Sequence, residues 1–211
     1  MKKYTVAVIG GTGKSGKYLV QHLLDHGYSV KLLVRNPETV ILSNPLAEIV
    51  KGDARDYQSV IKTVENTDLV ISTLGQPKGE PPIFSDATKN VMKAMNVCGL
   101  KRYIVTTGLS VNTPSDRKNE KVQLATGWMY QNYPETTHDK QKEYELLTES
   151  NLDWTLMRLP LIDLTNESRI TEASLEDCQG ENISATDLAG FLIAQIDDRT
   201  FIKKSPFLYN R

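Results

Sequence analysis

The amino-acid sequence predicts an α/β protein built on a doubly wound, mostly parallel sheet with helices on both faces. Apolar runs of strand length alternate with helical patterns almost to the end of the chain, which is typical of parallel strands joined by crossover helices. The first apolar run is followed at once by a glycine-rich loop that opens a helix. The chain has 211 residues, 39% hydrophobic and 24% charged, as in an ordinary globular domain. We therefore expect residues 1–211 to form a single domain.

The predicted strands are short apolar runs that end at turns or helical patterns. They cover Tyr4–Ile9, Ser29–Val34, Glu48–Val50, Leu69–Ser72, Tyr103–Thr106 and Trp154–Arg158. The predicted helices cover Ser15–His26, Tyr57–Val64, Asp86–Val97, His138–Ser150 and Thr186–Ile196. Two segments, 110–135 and 163–181, interrupt the alternation. Because ligands of such sheets bind beyond the carboxyl ends of the strands, we expect these segments to form loops on the substrate side.

The loop after the first strand can be compared with two phosphate-binding patterns. The nucleoside triphosphatase pattern G-x-x-x-x-G-K-[ST] would need a glycine at position 8, where Val8 belongs to the first strand. Gly10, Gly13 and Gly16 instead follow G-x-x-G-x-x-G between a strand and a helix. This context predicts a Rossmann-type dinucleotide site; a turn that merely joins strand to helix is the structural alternative.

Each glycine of this loop has its own expected role. Gly10 would turn the chain off the strand, Gly13 would let the backbone approach a pyrophosphate, and Gly16 would bring the helix close to the sheet. The amides that follow lie at a helix N-terminus, which attracts anions, and Lys14 adds positive charge. The expected cofactor contacts in this loop are Gly10, Thr12, Gly13, Lys14, Ser15 and Gly16.

The second strand ends at Arg35, followed by Asn36 and Pro37. A fold that prefers NAD usually has an acidic residue at this strand end to bind the ribose hydroxyls, and none is present. A guanidinium can clamp a 2′-phosphate through charge-assisted hydrogen bonds. We therefore expect NADP(H) to be preferred over NAD(H), with a solvated surface arginine as the alternative.

Other strand ends supply further candidate contacts. Asp53, after the third strand, could contact adenine or cap the following turn. Leu74 and Gly75 follow the fourth strand, where a flexible glycine would border the nicotinamide-side ribose. Thr107 could hydrogen-bond a substrate carbonyl, although threonine is also a good strand residue. Pro160 belongs to a rigid turn after the sixth strand whose backbone could face the nicotinamide carboxamide.

Composition argues against several kinds of partner. A net charge of −1 offers no electrostatic footprint for nucleic acid or an anionic membrane, and no apolar run is long enough to span a bilayer. The apolar run behind the basic Met1-Lys2-Lys3 ends at Gly10, which is too short for a secretory signal.

Cysteine and histidine spacing predicts no metal site. Cys98 and Cys178 have no metal-ligand spacing, which suits reduced thiols in a cytoplasmic protein. His22 and His26 stand four apart on the first helix, but no third ligand accompanies them.

Several of these stretches together resemble one known family over nearly the whole chain. They are GGTGKSG at residues 10–16, the Arg35 strand end, the Gly52-Asp53 step, TESNLDWTLMRLP, ISATDLAGFLIAQI and SPFLYNR. The chain resembles atypical short-chain dehydrogenases/reductases of the NAD(P)H-binding, NmrA-like type, most of all biliverdin reductase B-like flavin reductases. The resemblance implies a Rossmann-type sheet, NADP(H) as cofactor, and a reductase acting on flavin, quinone or a similar planar acceptor.

One departure from the family pattern concerns the proton donor. Reductases of the wider family use Tyr-x-x-x-Lys, in which the tyrosine donates a proton and the lysine lowers its pKa and holds ribose. If Lys140 is aligned with that lysine, Thr136 stands where the tyrosine should be. Lys140 shares a helical face with Tyr144 and Leu147, so it can point inward and bind ribose. Thr107 and Lys140 are therefore the catalytic candidates, and no proton donor is identified.

The missing tyrosine is compatible with hydride transfer to a flavin, which needs little beyond the placement of two rings. Tyr133 and His138 lie nearby in sequence and are interpreted as loop or core residues. The competing hypothesis is a non-catalytic NADP(H)-binding redox sensor that acts through a protein partner, as some NmrA-like proteins do. Regulators of that kind usually carry a longer C-terminal portion, so we favour the enzyme.

Overall fold

The computed structural model of the protein describes residues 4–211; the basic Met1-Lys2-Lys3 lies outside the described residues. The strands are β1 (Thr5–Ile9), β2 (Ser29–Val34), β3 (Ala47–Lys51), β4 (Leu69–Ser72), β5 (Arg102–Gly108), β6 (Asp153–Leu159), β7 (Leu161–Asp163), β8 (Thr171–Ser174), β9 (Asn182–Ser184) and β10 (Phe207–Asn210). The helices are α1 (Gly16–Asp25), α2 (Tyr57–Val64), α3 (Phe84–Cys98), α4 (Glu120–Asn132), α5 (Pro134–Thr148) and α6 (Ala185–Ala194).

Eight of the strands form one sheet in the order β3-β2-β1-β4-β5-β6-β10-β8. Neighbouring strands in it are parallel, except that β8 runs antiparallel to β10. Strands β7 and β9 pair separately. Strands β2 and β3 lie on one side of β1, and β4 lies on the other side. The strand order therefore reverses between β1 and β4. The predicted doubly wound, mostly parallel sheet is confirmed.

Helices cover both faces of the sheet because the central strands are apolar on both faces. Val6 and Val8 of β1 pack in the core with α1 and α6, whereas Ala7 and Ile9 pack in the core with α2, α3 and α5. Successive side chains of a strand point to opposite faces, so a strand covered on both faces is apolar throughout. The central strands are therefore visible in the sequence as continuous apolar runs.

The segment predicted as the first substrate-side loop contains α4. Asn119 caps this helix, because its Oδ1 accepts the amide hydrogen of Val122 at 3.0 Å. Val122 and Thr126 are buried, whereas Leu124 and Trp128 are exposed. Apolar side chains thus lie on both sides of α4, and the helix lacks the single apolar stripe by which a sequence pattern predicts a helix.

Two helices begin two or more residues earlier than predicted. Helix α5 starts at Pro134 rather than at His138; proline is favoured at a first helical position because its missing amide hydrogen has no intrahelical partner there. Helix α3 starts at Phe84 rather than at Asp86. The carboxylate of Asp139 on α5 accepts the amide hydrogens of the first two residues of α3, so this cap comes from a part of the chain that local sequence does not reveal.

The C-terminal strands β7 to β10 were not predicted, and β8 lies inside the second expected loop. Each of them has only three or four residues, which is too short for a clear hydrophobic period. Strand β10 nevertheless extends the main sheet between β6 and β8.

Arg158 of β6 contacts the chain beside β8 and β10 and helps to hold these two strands to the sheet. Its side chain is 0% exposed and pairs with the carboxylate of Asp116. Its Nε donates to the carbonyl oxygen of Ser205 at 2.9 Å, and its Nη2 donates to that of Leu175 at 3.0 Å. The guanidinium also lies 3.6 Å from the ring centroid of Phe207. One buried cation therefore joins three separate segments to β6.

We expect Arg158→Met to lower the free energy of unfolding by about 2–4 kcal/mol, because it removes the hydrogen bonds to the buried carbonyl groups of Ser205 and Leu175 and leaves Asp116 with Lys118, at 3.4 Å, as its ion-pair partner. Urea denaturation followed by circular dichroism measures this loss. Arg199→Met is the matched control, since Arg199 is 76% exposed and makes one ion pair with Asp153 at 3.4 Å, and it should change stability little. A loss below about 1 kcal/mol for Arg158→Met would contradict the assigned role.

Candidate dinucleotide-binding site

A cleft of about 570 Å³ lies at the carboxyl ends of β1 to β4. These strand ends surround the reversal of strand order between β1 and β4, where sheets of this topology bind ligands. The expected contact residues that line the cleft are Gly10, Thr12, Gly13, Lys14, Ser15, Arg35, Asp53, Leu74 and Gly75. Gly16, Lys140 and Pro160 are not among its lining residues. The loops after four strands therefore bring together most of the residues expected to bind a cofactor.

The glycine loop is packed closely against the sheet. Gly10 has φ +79°, and a Cβ there would lie 2.8 Å from the backbone of Leu74. A Cβ at Gly16 would lie 2.2 Å from the carbonyl oxygen of Gly10, so Gly16 packs against the loop. Gly11, which sequence reasoning missed, is the glycine wedged between helix and sheet: its Cβ would lie 2.4 Å from Leu32. The only sequence feature that could have indicated this role was its position directly after Gly10.

Gly13 differs from these packed glycines, because it faces the cleft. Among the described residues a Cβ at Gly13 would meet only the carbonyl oxygen of Gly10, at 3.1 Å. The N-cap residue Ser15 makes no side-chain cap hydrogen bond within the described chain. The amides of Lys17 and Tyr18 donate to the carbonyl oxygens of Gly13 and Ser15, so it is the amides just before them, at the start of α1, that keep their capacity to bind an anion. An open backbone surface beside a helix N-terminus fits a pyrophosphate.

The end of the cleft beside β2 and β3 carries a network of charged side chains. Arg35 donates from Nη1 to Oε1 of Glu80 at 2.9 Å, and Arg55 donates from Nη1 to Oε2 of the same carboxylate at 2.9 Å. The hydrogen bond from Arg35 lowers the pKa of Glu80. Sequence reasoning missed Arg55 and Glu80 as site residues, because the directions of loop side chains follow from tertiary structure.

Asp53 lies in the cleft wall and also shapes the turn after β3. Its Oδ1 accepts the amide hydrogen of Arg55 at 2.8 Å, which is the turn-stabilising role that the sequence allowed. Its Oδ2 lies 3.7 Å from Nη1 of Arg55. The turn contact leaves the carboxylate at the edge of the cleft.

The ammonium group of Lys140 points from α5 to the end of β5. Its Nζ lies 3.5 Å from the position of a Cβ at Gly108 and 4.8 Å from the ring centroid of Phe84. Burial lowers the pKa of Lys140, while the charge of Glu143 raises it. The hydroxyl groups of Thr107 and Ser110 nearby in the chain are buried and have no hydrogen-bond partner among the described residues. The end of β5 thus lies beside one half-buried ammonium group, and two buried hydroxyl groups at or just after this strand end have no partner among the described residues.

Glu143 is a fully buried carboxyl group one turn after Lys140, and sequence reasoning did not single it out. Its Oε1 accepts a hydrogen bond from Thr88 at 2.7 Å, and its Oε2 has no partner within the described chain. Burial raises the pKa of Glu143 to about 7, against the smaller lowering effects of Thr88 and Lys140. The group therefore changes charge near neutral pH.

Three other residues considered in the sequence lie apart from the cleft lining. Pro160 joins β6 to β7, and Ile162 rather than Pro160 lines the cleft. Tyr133 is exposed, with its ring 5.6 Å from that of Trp128. His138 is exposed on α5, and its Nδ1 lies 2.7 Å from the carbonyl oxygen of Pro134.

Within residues 4–211 there is no group of three or more histidine, cysteine or acidic side chains placed to hold a metal ion. The rings of His22 and His26 have centroids 6.4 Å apart. None of the helices in this part of the chain has the length and apolar character needed to cross a membrane.

We expect Glu143→Gln to flatten the dependence of stability on pH. Between the ordinary pKa of 4.5 and the folded value of about 7, the folded protein holds a proton that the unfolded chain has released. The free energy of unfolding should therefore fall as pH rises through this range, by roughly 2–3 kcal/mol. Urea denaturation at about pH 5 and pH 8 measures the fall. Glu145→Gln, at an exposed position on the same helix, should keep it, and an unchanged fall in Glu143→Gln would contradict the assignment.

A family model described as NAD(P)H-binding matches residues 10–199. An isoflavone reductase homologue from Arabidopsis thaliana is 31% identical over 115 residues, covering 49% of this chain and 34% of that protein. The matched part is thus about a third of the length of such curated relatives.

Solved structures share the fold along nearly the whole chain. A short-chain dehydrogenase/reductase from Veillonella parvula in complex with NADP has a TM-score of 0.80 at 18% identity, covering 100% of this chain and 95% of that one. ChuY, an anaerobilin reductase from Escherichia coli, has a TM-score of 0.76 at 18% identity, covering 98% and 97%.

The family match includes the glycine loop, every loop that lines the cleft and the last helix. It agrees with the resemblance seen in the sequence motifs and with the topology of the sheet. The chain belongs to the NAD(P)H-binding family and has the Rossmann-type fold of short-chain dehydrogenases/reductases.

Proposed function

We propose that this protein is an NADPH-dependent oxidoreductase that reduces a planar acceptor of the flavin or quinone class. The observation that carries the proposal is the arrangement of the site along neighbouring strands. The glycine loop and Arg35 lie at one end of it, and Lys140 lies beside the end of β5, which is adjacent to β4 in the sheet. The reductase names of the relatives above support the same class of reaction.

The proposed cofactor contacts follow the cleft from end to end. The pyrophosphate would bind the backbone from Gly10 to Ser15, with Thr12, Lys14 and the α1 N-terminus supplying donors and positive charge, and Gly16 would keep that loop against the sheet. Arg35 would bind the 2′-phosphate, and Asp53 would border the adenine. The remaining proposed contacts, toward the ribose and the nicotinamide, are Leu74, Gly75, Lys140 and Pro160.

When bound, NADPH would supply the hydride from its nicotinamide ring. The chain would hold and orient the reactants: Lys140 would donate hydrogen bonds to the ribose hydroxyls, and Thr107 would donate its unpaired hydroxyl hydrogen to a carbonyl of the acceptor. The segments 110–135 and 163–181 would border the acceptor. Cys98 and Cys178 are both free thiols, which supports a cytoplasmic location.

The competing function is a non-catalytic sensor that binds NADP(H) and acts through a protein partner. A sensor would bind NADPH without consuming it. The buried hydroxyl of Thr107, without a partner among the described residues and one residue before the Gly108 that Lys140 approaches, favours the enzyme, because a site that only binds a cofactor does not need a free hydrogen-bond donor there.

A panel of flavins and quinones should be reduced with consumption of NADPH, which is measured by the loss of absorbance at about 340 nm. Gly13→Val is the matched negative variant: its side chain would fill the space above the loop backbone, so it should bind no NADPH and remain folded. Gly190→Val, at an open helix position, should keep activity. Tight NADPH binding without turnover of any acceptor would favour the sensor, and unchanged NADPH affinity in Gly13→Val would contradict the assignment of the loop.

We expect Arg35→Ala to weaken NADPH binding about ten- to a hundredfold and to leave NADH binding nearly unchanged, because only NADPH carries the 2′-phosphate. A charged hydrogen-bond set of this kind contributes roughly 1.5–3 kcal/mol. Isothermal titration calorimetry measures both affinities, and added salt should reduce the preference of the wild type. Arg199→Ala should change neither, because Arg199 follows α6 and pairs with Asp153 at the amino end of β6, whereas the cleft lies at the carboxyl ends of the strands. Equal losses for both cofactors would mean that Arg35 supports the loop structure only.

A further inference from the structure

The loop after β4 folds over the adenosine end of the cleft. Its sequence from Gln76 is QPKGEPP, and Gly79 takes the left-handed conformation with φ +74°. The side-chain amide of Gln76 donates to the carbonyl oxygens of Glu80 at 2.8 Å and Pro77 at 3.1 Å. These hydrogen bonds stabilise the backbone of the loop and keep Glu80 beside the cleft.

The carboxylate of Glu80 bridges two arginines from two other loops. Its two oxygens accept from Arg35 and from Arg55, each at 2.9 Å. Arg55 also donates from Nη2 to the carbonyl oxygen of Pro81 at 3.1 Å. Among the described residues, Glu80 is the only side chain that hydrogen-bonds to Arg35. The loops after β2, β3 and β4 thus meet at one carboxylate.

Two guanidinium groups that converge on one anion form a site that also suits a phosphate. A phosphate monoester offers three acceptor oxygens and a charge near −2, whereas a carboxylate offers two oxygens and a charge of −1. The side chains of Arg35, Glu80 and Arg55 are 49%, 39% and 32% exposed. Ion pairs this exposed are weak, so an incoming phosphate can replace the carboxylate.

We propose that Glu80 competes with the 2′-phosphate of NADP(H) for Arg35 and Arg55. In the cofactor-free protein its carboxylate occupies the arginine pair; NADP(H) displaces it, and Arg55 becomes the second phosphate ligand. Glu80 therefore lowers the affinity for NADP(H) but not for NAD(H), and it sets the ratio between the two. The inference rests on the proposed assignment of the 2′-phosphate to Arg35 and adds to it a specificity-determining carboxylate and a second arginine.

Adenosine 2′,5′-bisphosphate and adenosine 5′-monophosphate test this without turnover, because they differ only in the 2′-phosphate. In isothermal titration calorimetry, Glu80→Gln should bind the bisphosphate about three- to tenfold more tightly than the wild type, and Arg55→Met should bind it at least about threefold more weakly. Neither variant should change the affinity for the monophosphate. Glu38→Gln is the matched control: it removes the same charge from an exposed residue just beyond Arg35 that makes no ion pair within the described chain, and it should have less than about a twofold effect.

Unchanged or weaker binding of the bisphosphate by Glu80→Gln would overturn the inference. Removing a carboxylate that competes with the phosphate strengthens binding, whereas removing one that merely orients the arginines does not. An equal gain in Glu38→Gln would overturn it as well, since a general charge effect would then suffice. Failure of the proposed cofactor assignment has a different signature: the wild type would bind both nucleotides equally, and Arg35→Ala would weaken neither.

Discussion

The close contact between the first loop and the sheet is the constraint on which the cleft depends. The backbone of Gly10 approaches the backbone of Leu74 so closely that a Cβ would lie 2.8 Å from it, and Gly16 packs on the carbonyl oxygen of Gly10 in the same way. The loops after β1 and β4 therefore meet with no side chain between them. This contact places the N-terminus of α1 over the point where the strand order reverses, which is where the sheet leaves room for a ligand. Larger residues at these positions would push the helix away from the sheet and remove the anion site.

Charges serve two different purposes in the molecule, and burial distinguishes them. The Arg158–Asp116 pair has side chains 0% and 13% exposed and lies among carbonyl acceptors and the ammonium group of Lys118, 3.4 Å from Asp116, so removing Arg158 takes hydrogen bonds from groups that water reaches poorly. The Arg35–Glu80 pair is largely exposed, and water or another anion can replace either partner at small cost. The first pair stabilises the attachment of β8 and β10 to the sheet, whereas the arginines of the second pair can exchange one anion for another at the rim of the cleft.

The sequence predicted the first six strands, because buried parallel strands are continuous apolar runs. It also predicted the strand ends that line the cleft, because the carboxyl ends of parallel strands share one edge of the sheet. It did not predict α4, whose exposed Leu124 and Trp128 obscure the apolar stripe, or the short strands that Arg158 attaches to the sheet. Within the site, glycine spacing predicted the loop, but Glu80 and Glu143 were missed. Their roles come from the partners that loop closure and helix packing bring to them, and a single sequence does not record those partners.

A crystal structure of the protein with NADPH tests the central claim most directly. The account predicts the pyrophosphate on the backbone between Gly10 and Ser15 and the 2′-phosphate on Arg35. It predicts the nicotinamide-side ribose within hydrogen-bonding distance of Lys140 Nζ, beside the end of β5. A cofactor bound elsewhere on the molecule, or one in this cleft with its phosphates away from the glycine loop, would contradict the account.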